Sequence, residues 1–360
     1  MTQQTERGAF EFTGTWREYA PIAFTNLLLT IVTLGIYNFW GRTRTRQYLW
    51  SRTRFIDDQL EWTGTGLELL IGYVLVMVLL FVPLGGIQLL MGVLAAQGTT
   101  SAHIAAGVLA LLFYVVVLGL GGVAVFRALR YRLSRTYWHG IRGGSDDQGF
   151  RYGLSYFWRT MLGSIAFGLL VPWSLVTLWN KRWNAMSFGP YRFVASANTD
   201  GLMGRYLLFY LLPIALVLGV IVIGIASAFS AGSEAVSPMV RFTVAVLLLY
   251  LVFFVLLGLI ATAFYAAYFR KMISGLSLGD LEFEFTATTK EWLKLIFGTA
   301  ALVVGTLGVG AVFIGYRNWS FFVRHLRAYG TLELDQFTQS TTRAPGQGEG
   351  LFDSFDMGAF

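Results

Sequence analysis

The chain has 360 residues, of which 55% are apolar and 13% charged, and its net charge is +7. The charged fraction is about half that of a soluble domain, and several apolar runs reach about 20 residues, enough to cross a bilayer. This composition excludes a soluble globular protein and predicts a multi-pass membrane protein. The absence of cysteine excludes disulfides and thiolate metal or redox chemistry.

Seven apolar segments alternate with polar connections along the chain. The connections at 96–103 and 229–240 contain no Lys or Arg, whereas the other five contain several. Because basic residues mark the cytoplasmic side of membrane segments, we expect these two loops outside and the others, with the C-terminus, in the cytoplasm. The second segment contains Pro83, and a kink there is tolerable in a membrane helix when neighbouring groups satisfy the freed backbone. The segments are 21–40, 67–96, 104–126, 160–179, 206–228, 242–269 and 293–316.

This charge pattern predicts that the first, fourth and seventh segments begin and end in the cytoplasm. A straight helix cannot do this, but a re-entrant segment can if its broken backbone is covered by protein or wetted. Breaks at 33–35, at Pro172 and at 305–308 are compatible with re-entry. We therefore expect four transmembrane helices and three re-entrant segments, with seven ordinary spans as the alternative.

An aromatic stretch that contains a Trp and a basic residue recurs before three segments, at 8–19, 149–160 and 282–293. Such a period indicates tandem units, and the constant sidedness of the basic loops favours parallel over inverted repeats. The predicted units are 1–148 (unit A, with basic loop 41–66 and membrane hairpin 67–126), 149–281 (unit B, with membrane hairpin 206–269), 282–338 (half unit C) and a disordered acidic tail at 339–360.

Alternating apolar and polar residues with Gly or Asp turns lie at 55–64, 278–287 and 329–338, and they indicate short β-strands. The predicted fold is an all-α polytopic membrane protein built from tandem repeats, with small cytoplasmic β-hairpin elements.

Basic and aromatic residues cluster beside the re-entrant segments. Arg42 and Arg46 are one helical turn apart, next to Trp40, which is the composition of a membrane interface. We expect anionic lipids of the cytoplasmic leaflet as partners, with charge-driven orientation alone and subunit contact as alternatives. The predicted headgroup or interface residues are Trp40, Arg42, Arg44, Arg46, Tyr48, Arg130, Arg132, Lys181, Arg182, Arg317 and Arg324.

Small polar residues and backbone breaks within the re-entrant segments are candidates for lining a path. The membrane hairpin segments carry no charge near their centres, which argues against a proton-coupled pump. The predicted pore-lining or re-entrant residues are Asn26, Thr30, Thr33, Gly35, Pro172, Gly305 and Gly308.

The stretch 26–73 resembles the signature of the DUF898 or YjgN-like family of bacterial inner-membrane proteins. The pattern is LLT-x-x-TLGIY-x-x-W, then a basic aromatic helix and a Trp-Thr-Gly turn at 62–64. Gly41 and Arg42 depart from it, since lysine or alanine is more usual there. The resemblance implies a bacterial inner membrane and supplies no mechanism; it also suggests a membrane protease as a partner.

No sequence motif for catalysis is present: there is no HExxH or P-loop, and the three histidines lie far apart. We expect no enzymatic activity, no metal and no cofactor, and no nucleic-acid binding because the basic residues flank apolar runs. The preferred function is a non-enzymatic pore or carrier for a small or lipid-like solute. A membrane scaffold or partner protein of another membrane complex is the alternative. The sequence leaves open whether the protein forms a homo-oligomer.

Overall fold

The computed structural model describes residues 2–5, 9–229, 237–333 and 338–343, and most of these residues are helical. The apolar segments of the sequence all form helices. In chain order the helices are α1 (Trp16–Val32), α2 (Asn38–Ser51), α3 (Gly66–Val76), α4 (Val82–Ala96), α5 (Thr100–Arg135), α6 (Phe150–Ile165), α7 (Val171–Trp183), α8 (Met203–Phe229), α9 (Pro238–Ser274), α10 (Thr289–Gly305) and α11 (Ile314–His325).

Three helices within the described ranges are long and apolar enough to cross a membrane: Thr100–Arg135, Met203–Phe229 and Met239–Ser274. The second apolar segment, 67–96, was also predicted to span the membrane, and a π-helical turn at Met77–Phe81 divides it into α3 and α4. Pro83 lies two residues after this turn, and a proline has no N–H to donate and clashes with the turn before it. The segment is therefore irregular close to Pro83, in the form of a π-helical turn.

The first, fourth and seventh apolar segments each form two helices joined by a tight reversal. We call these pairs hairpin A (α1–α2), hairpin B (α6–α7) and hairpin C (α10–α11, with a 3₁₀ turn at Val309–Phe313). None of the three segments is one straight helix, because the backbone turns back after 32, 165 and 305.

The three reversals have the same local geometry. The residue before a glycine has a left-handed backbone at Leu34 (φ 50°), Phe167 (φ 50°) and Leu307 (φ 49°). The glycines that follow also have positive φ, and each donates its N–H to the carbonyl five residues back, at 2.7–2.8 Å. This is a Schellman ending, a motif that usually places glycine where these bulky residues stand.

Twelve short strands lie within the described residues, more than the sequence predicts. They are β1 (Thr2–Thr5), β2 (Phe10–Phe12), β3 (Thr53–Phe55), β4 (Asp58–Gln59), β5 (Glu61–Trp62), β6 (Thr136–Trp138), β7 (Ile141–Gly144), β8 (Ser187–Phe188), β9 (Tyr191–Ala195), β10 (Leu276–Leu278), β11 (Leu281–Phe285) and β12 (Leu326–Glu333).

Nine of the described strands join into one large antiparallel sheet, and this corrects the all-α prediction with separate small hairpins. Its order is β1-β12-β11-β10-β9-β8-β7-β6-β5, and β2-β3-β4 form a second sheet. Trp138 of β6 and Ala328 of β12 belong to the same buried cluster although they are far apart in that order. The large sheet therefore curls around an apolar core.

Aromatic stacking joins hairpin A to hairpin C. Tyr19 stacks on Tyr316 with ring centroids 5.3 Å apart, and Trp50 stacks on Trp319 at 4.0 Å. The hydroxyl of Tyr316 also donates to the carbonyl of Gly14 at 3.1 Å. The two ends of the chain are thereby packed into one body.

The segment 339–343, which the sequence analysis assigns to a disordered tail, is bound to the β6–β7 hairpin. The side chain of Gln339 donates to the carbonyl of Gly140 at 2.8 Å, and the N–H of Arg343 donates to Asp146 Oδ1 at 3.1 Å. The predicted tail therefore begins too early, because these residues have hydrogen-bond partners on the sheet. Residues 344–360 lie outside the described residues.

Glu68 connects the start of α3 to the end of α5. It closes a capping box with Thr65, accepts a hydrogen bond from the Tyr131 hydroxyl at 2.9 Å, and pairs with Arg135 Nη2 at 2.6 Å. Both ion-pair side chains are only 19% exposed. This contact fixes the basic end of the membrane hairpin to the first helical turn.

We expect Glu68→Ala to lower the free energy of unfolding by about 3 kcal/mol, because it leaves a mostly buried guanidinium without its carboxylate. Thermal unfolding of the purified protein in detergent, followed by tryptophan fluorescence, measures the loss. Glu61→Ala, at an exposed position on β5, is the control and should change stability by less than about 0.5 kcal/mol. Equal unfolding temperatures for the two variants would contradict the anchoring role.

Candidate functional site

A cavity of about 750 Å³, here called the central cavity, lies among the three helical hairpins and the sheet. Its wall runs from Thr30 and Asn38, close to the reversal of hairpin A, to Phe55, Leu281 and other apolar residues of the strands. Aromatic and aliphatic side chains form most of the wall. Such a volume and such a lining are typical of sites that hold a small molecule.

Helical periodicity explains which residues of hairpin A face the central cavity. On α2 the lining residues Asn38, Arg42, Thr45 and Leu49 recur every three or four positions, which places them on one face. Arg44 lies on the opposite, exposed face and donates to the hydroxyl of Tyr37 at 2.9 Å. The arginines of α2 therefore lie on two faces, with Arg42 and Arg46 at the cavity and Arg44 on the outside.

Three arginines line the central cavity: Arg42 and Arg46 from α2 and Arg132 from α5. Arg46 is buried, and its guanidinium lies 4.9 Å from the centre of the Trp62 ring. A cation over an indole face is attracted by the ring's quadrupole. Among the described lining residues none is Asp or Glu, so the described part of the wall has more basic than acidic side chains.

Asn26 brings α1 close to α2 at the cavity wall. It is 9% exposed, and its Nδ2 donates to the carbonyl of Gly41 at 3.0 Å. A Cβ at Gly41 would lie 3.3 Å from the Asn26 side chain, which gives a packing reason for the glycine that departs from the family signature. Asn26 Oδ1 is buried and has no hydrogen-bond partner among the described residues.

Five tryptophans line the central cavity, and their indole N–H groups fall into two classes. Trp50, Trp138 and Trp319 each donate to a protein oxygen at 2.8–3.0 Å. Trp179 and Trp183, one turn apart on α7, have buried Nε1 atoms for which the described part of the chain offers no acceptor. A buried donor without an acceptor costs about 1–3 kcal/mol, so these two indoles reduce the stability gained by packing α7.

The structure brings together residues from both predicted site sets. Asn26 and Thr30, predicted to line a path, share the central cavity with Arg42, Arg46 and Arg132, predicted to bind headgroups.

The remaining predicted headgroup residues make contacts elsewhere. Tyr48 is buried and donates to the carbonyl of Thr15, and Arg130 donates to the carbonyl of Asp147. Trp40 packs on Gly66, Arg44 contacts Tyr37, Lys181 donates to Ser155 Oγ, Arg182 lies over the Trp179 ring, Arg317 donates to Thr299 Oγ1, and Arg324 is exposed.

Burial and neighbouring charges lower the pKa values of two cations at the end of α7. Burial lowers the pKa of Lys181, and repulsion from Arg159 lowers it further. Burial likewise lowers the pKa of Arg182, although Tyr152 and Tyr268 act in the opposite direction. Arg182 is only 6% exposed, whereas Lys181 is exposed like Arg324.

The other predicted lining residues form the helical hairpins rather than the cavity wall. Thr33 Oγ1 donates to the carbonyl of Leu29 and accepts from the N–H of Tyr37, which stabilises the reversal. Gly35 and Gly308 take the positive φ of their reversals, Pro172 lies in the first turn of α7, and Gly305 ends α10.

Several cavity residues escaped the sequence analysis. The paired tryptophans of α7 carried a usable signal, the four-residue spacing in WNKRW, whereas Asn38, Thr45 and Asn318 carried none. Their role at the wall follows only from how the hairpins pack.

Comparisons with known proteins agree with the membrane fold. The sequence profile of DUF898, described as a bacterial protein of unknown function, matches residues 7–354. The chain belongs to the DUF898 family. Among curated proteins, the chain is similar to the inner membrane protein YjgN of Salmonella typhimurium, with 34% identity over 77 residues. That match covers 21% of this chain and 20% of the relative. No solved structure matches this DUF898 protein.

A double-mutant cycle tests the cation–ring contact at the cavity wall. We expect Arg46→Met and Trp62→Leu to be coupled by about 1 kcal/mol in the free energy of unfolding, because each removes the same interaction. Chemical unfolding of the protein in detergent measures the four stabilities. The cycle of Arg44→Met with Trp62→Leu should be additive; equal coupling in both cycles would contradict the contact.

Proposed function

We propose that this protein is a non-enzymatic carrier of the inner membrane, which takes a lipid-like solute from the cytoplasmic leaflet into the central cavity. The observation that carries the proposal is the cavity itself, about 750 Å³ with a mostly apolar wall and a few polar groups. The name of the relative, inner membrane protein YjgN, supports the location.

The second support concerns the membrane arrangement. Hairpin A returns to the side from which it starts, because β2 before it pairs with β3 after it, Phe10 opposite Phe55. Helices α5 and α9 end in basic residues and lead directly into strands of the sheet. By the positive-inside bias we place the sheet in the cytoplasm and hairpins A, B and C as re-entrant segments that enter from there.

The tips of the hairpins support entry into lipid. Leu34, Phe167 and Leu307 are 93%, 87% and 95% exposed, although all three are large and apolar. With a rise of about 1.5 Å per residue, the tips reach roughly 10–14 Å beyond Arg42 and Arg317. If those arginines lie at phosphate depth, the tips enter one leaflet of a hydrocarbon core about 30 Å thick.

Single cysteines test this arrangement, since the chain has none of its own. We expect Glu11→Cys, Gln59→Cys and Asp200→Cys, all exposed on the sheet side, to be protected from a membrane-impermeant thiol reagent in intact cells and to react after permeabilisation. Thr99→Cys, in the loop between α4 and α5, should react in intact cells. Labelling of Glu11→Cys but not Gln59→Cys in intact cells would show that the first segment spans the membrane.

A cavity-filling substitution tests the carrier. We expect the protein to accelerate transfer of a pyrene-labelled single-chain amphiphile from proteoliposomes to acceptor vesicles, measured by loss of excimer fluorescence. Thr30→Trp fills the cavity wall and should reduce transfer to the rate of protein-free vesicles. Leu28→Trp, on the same helix but outside the cavity, should transfer like the parent. Unchanged transfer by Thr30→Trp would contradict the proposal.

A further inference from the structure

Two cations on hairpin B converge on a single hydroxyl group. Arg159 of α6 and Lys181 of α7 both donate a hydrogen bond to Ser155 Oγ, and the bond from Lys181 is 2.8 Å long. Two nitrogens bonded to one oxygen lie within about 6 Å of each other, so the guanidinium and the ammonium repel one another. No carboxylate among the described residues forms an ion pair with either cation. Their convergence therefore concentrates positive charge at one place on the hairpin.

Both cations keep donors that face outward. Lys181 is exposed, and its ammonium uses one of three N–H groups on Ser155. Arg159 uses Nε on Thr177 Oγ1 at 2.8 Å and Nη1 on Ser155. Its Nη2 has no hydrogen-bond partner in the described chain and is not among the buried atoms. Because Ser155 is only 8% exposed, the two cations rest on a buried hydroxyl and direct their remaining donors to the surface.

Hairpin C shows which part of this arrangement is structural. There Arg317 Nε donates to Thr299 Oγ1 at 3.0 Å, across the two helices. The residues of this Arg–Thr bond, in hairpin C as in hairpin B, lie eight residues before and ten residues after the tip residue. At the positions of the shared hydroxyl and the second cation, hairpin C has Leu295 and Phe321. The Arg–Thr bond therefore connects the two helices of a hairpin, and the added cation on hairpin B needs another explanation.

Aromatic side chains support a position of this cation pair at the level of lipid headgroups. The Arg159 guanidinium lies 5.0 Å from the centre of the Trp173 ring, and Trp173 and Trp158 are 37% and 57% exposed. Exposed indoles beside cations are typical of the membrane interface. Arg159 is eight residues from the tip of hairpin B, as Arg42 is from the tip of hairpin A, so both reach the same depth in the proposed membrane arrangement.

We propose that Arg159 and Lys181 bind the phosphate of an anionic phospholipid in the cytoplasmic leaflet. The phosphate oxygens accept from Arg159 Nη2 and from the Lys181 ammonium, in charge-assisted hydrogen bonds that offset the repulsion between the two cations. A headgroup with an ammonium would bring a third positive charge, so a headgroup without one, such as phosphoglycerol, is preferred. Neither cation lines the central cavity, and of the proposed function the site requires only the membrane arrangement.

The test is native mass spectrometry of the full-length protein in mild detergent with equal amounts of dioleoyl phosphatidylglycerol and dioleoyl phosphatidylcholine. We expect the parent to bind phosphatidylglycerol about tenfold more tightly, because phosphatidylcholine carries a cation next to its phosphate. A second arm adds an excess of inorganic phosphate. This should leave the bound lipid in place, because a free anion gains no apolar contact on binding.

Matched double variants assign the preference to the site. Arg159→Gln combined with Lys181→Gln should bind the two lipids equally, because both cations are removed. Lys294→Gln combined with Arg317→Gln is the control, since it removes two positive charges and the Arg–Thr bond from hairpin C, and it should keep the preference of the parent. Lys181→Glu gives Arg159 a carboxylate in place of the lipid phosphate, so this single variant should fold and should also lose the preference.

The outcomes separate the site from the carrier. Equal binding of the two lipids by the parent overturns the site, as does an equal loss of preference in both double variants or a retained preference in Lys181→Glu. Release of the lipid by inorganic phosphate overturns the lipid as the source of the anion. The preference should persist in Thr30→Trp, whose central cavity is filled, and its loss there overturns a site on hairpin B. A retained preference without accelerated pyrene transfer supports the site and contradicts the carrier.

Discussion

The reversal within each helical hairpin is the constraint on which the rest of the structure depends. Because the chain turns back after α1, α6 and α10, the strands that flank each hairpin lie on the same side and pair with each other, β2 with β3, β7 with β8 and β11 with β12. Each reversal holds Leu34, Phe167 or Leu307 in a left-handed conformation that costs about 1–2 kcal/mol for a residue with a side chain. Transfer of these exposed apolar side chains into lipid would offset that cost.

The three hairpins are alike at their tips but differ where they meet the central cavity. Hairpins A and C stack aromatic rings on each other, and the cavity-lining indoles Trp50 and Trp319 both donate to protein oxygens. Hairpin B instead presents Trp179 and Trp183 without acceptors in the described chain. The shared tips suit a common position in the membrane, whereas the hairpins differ in the side chains that they place at the cavity wall.

Much of the fold could be predicted from charge and periodicity, because both can be read from short stretches of the sequence. Basic connections and backbone breaks at 33–35, at Pro172 and at 305–308 pointed to chain reversal, and alternation identified β3–β5, β10–β11 and β12. The hairpins β6–β7 and β8–β9 were missed because strands of two to five residues show hardly any period. The large sheet also depends on pairs such as β1 with β12. These strands lie at opposite ends of the chain, so no local sequence pattern indicates that they pair.

The candidate site was predicted in two parts that the sequence could not unite. Arginines beside aromatic residues suggested headgroups, and small polar residues suggested a path, but only packing shows that Asn26 and Arg46 share a wall. The buried indoles of α7 could not be recognised, since a missing acceptor is a property of the folded neighbourhood. Sequence reasoning therefore found charge and polarity, and the structure supplied their geometry.

The arrangement of the cavity also limits the energetic cost of the proposed uptake. Moving a charged headgroup into a low-dielectric interior costs several kcal/mol unless it is paired, whereas an apolar chain passes from lipid to an apolar wall at little cost. Arg42 lies in the half of hairpin A nearer its reversal, whereas Arg132 lies in the last turn of α5, next to the strands. Cations therefore lie at more than one level of a wall that is mostly apolar, and the proposed lipid-like solute would meet apolar surface along most of that wall.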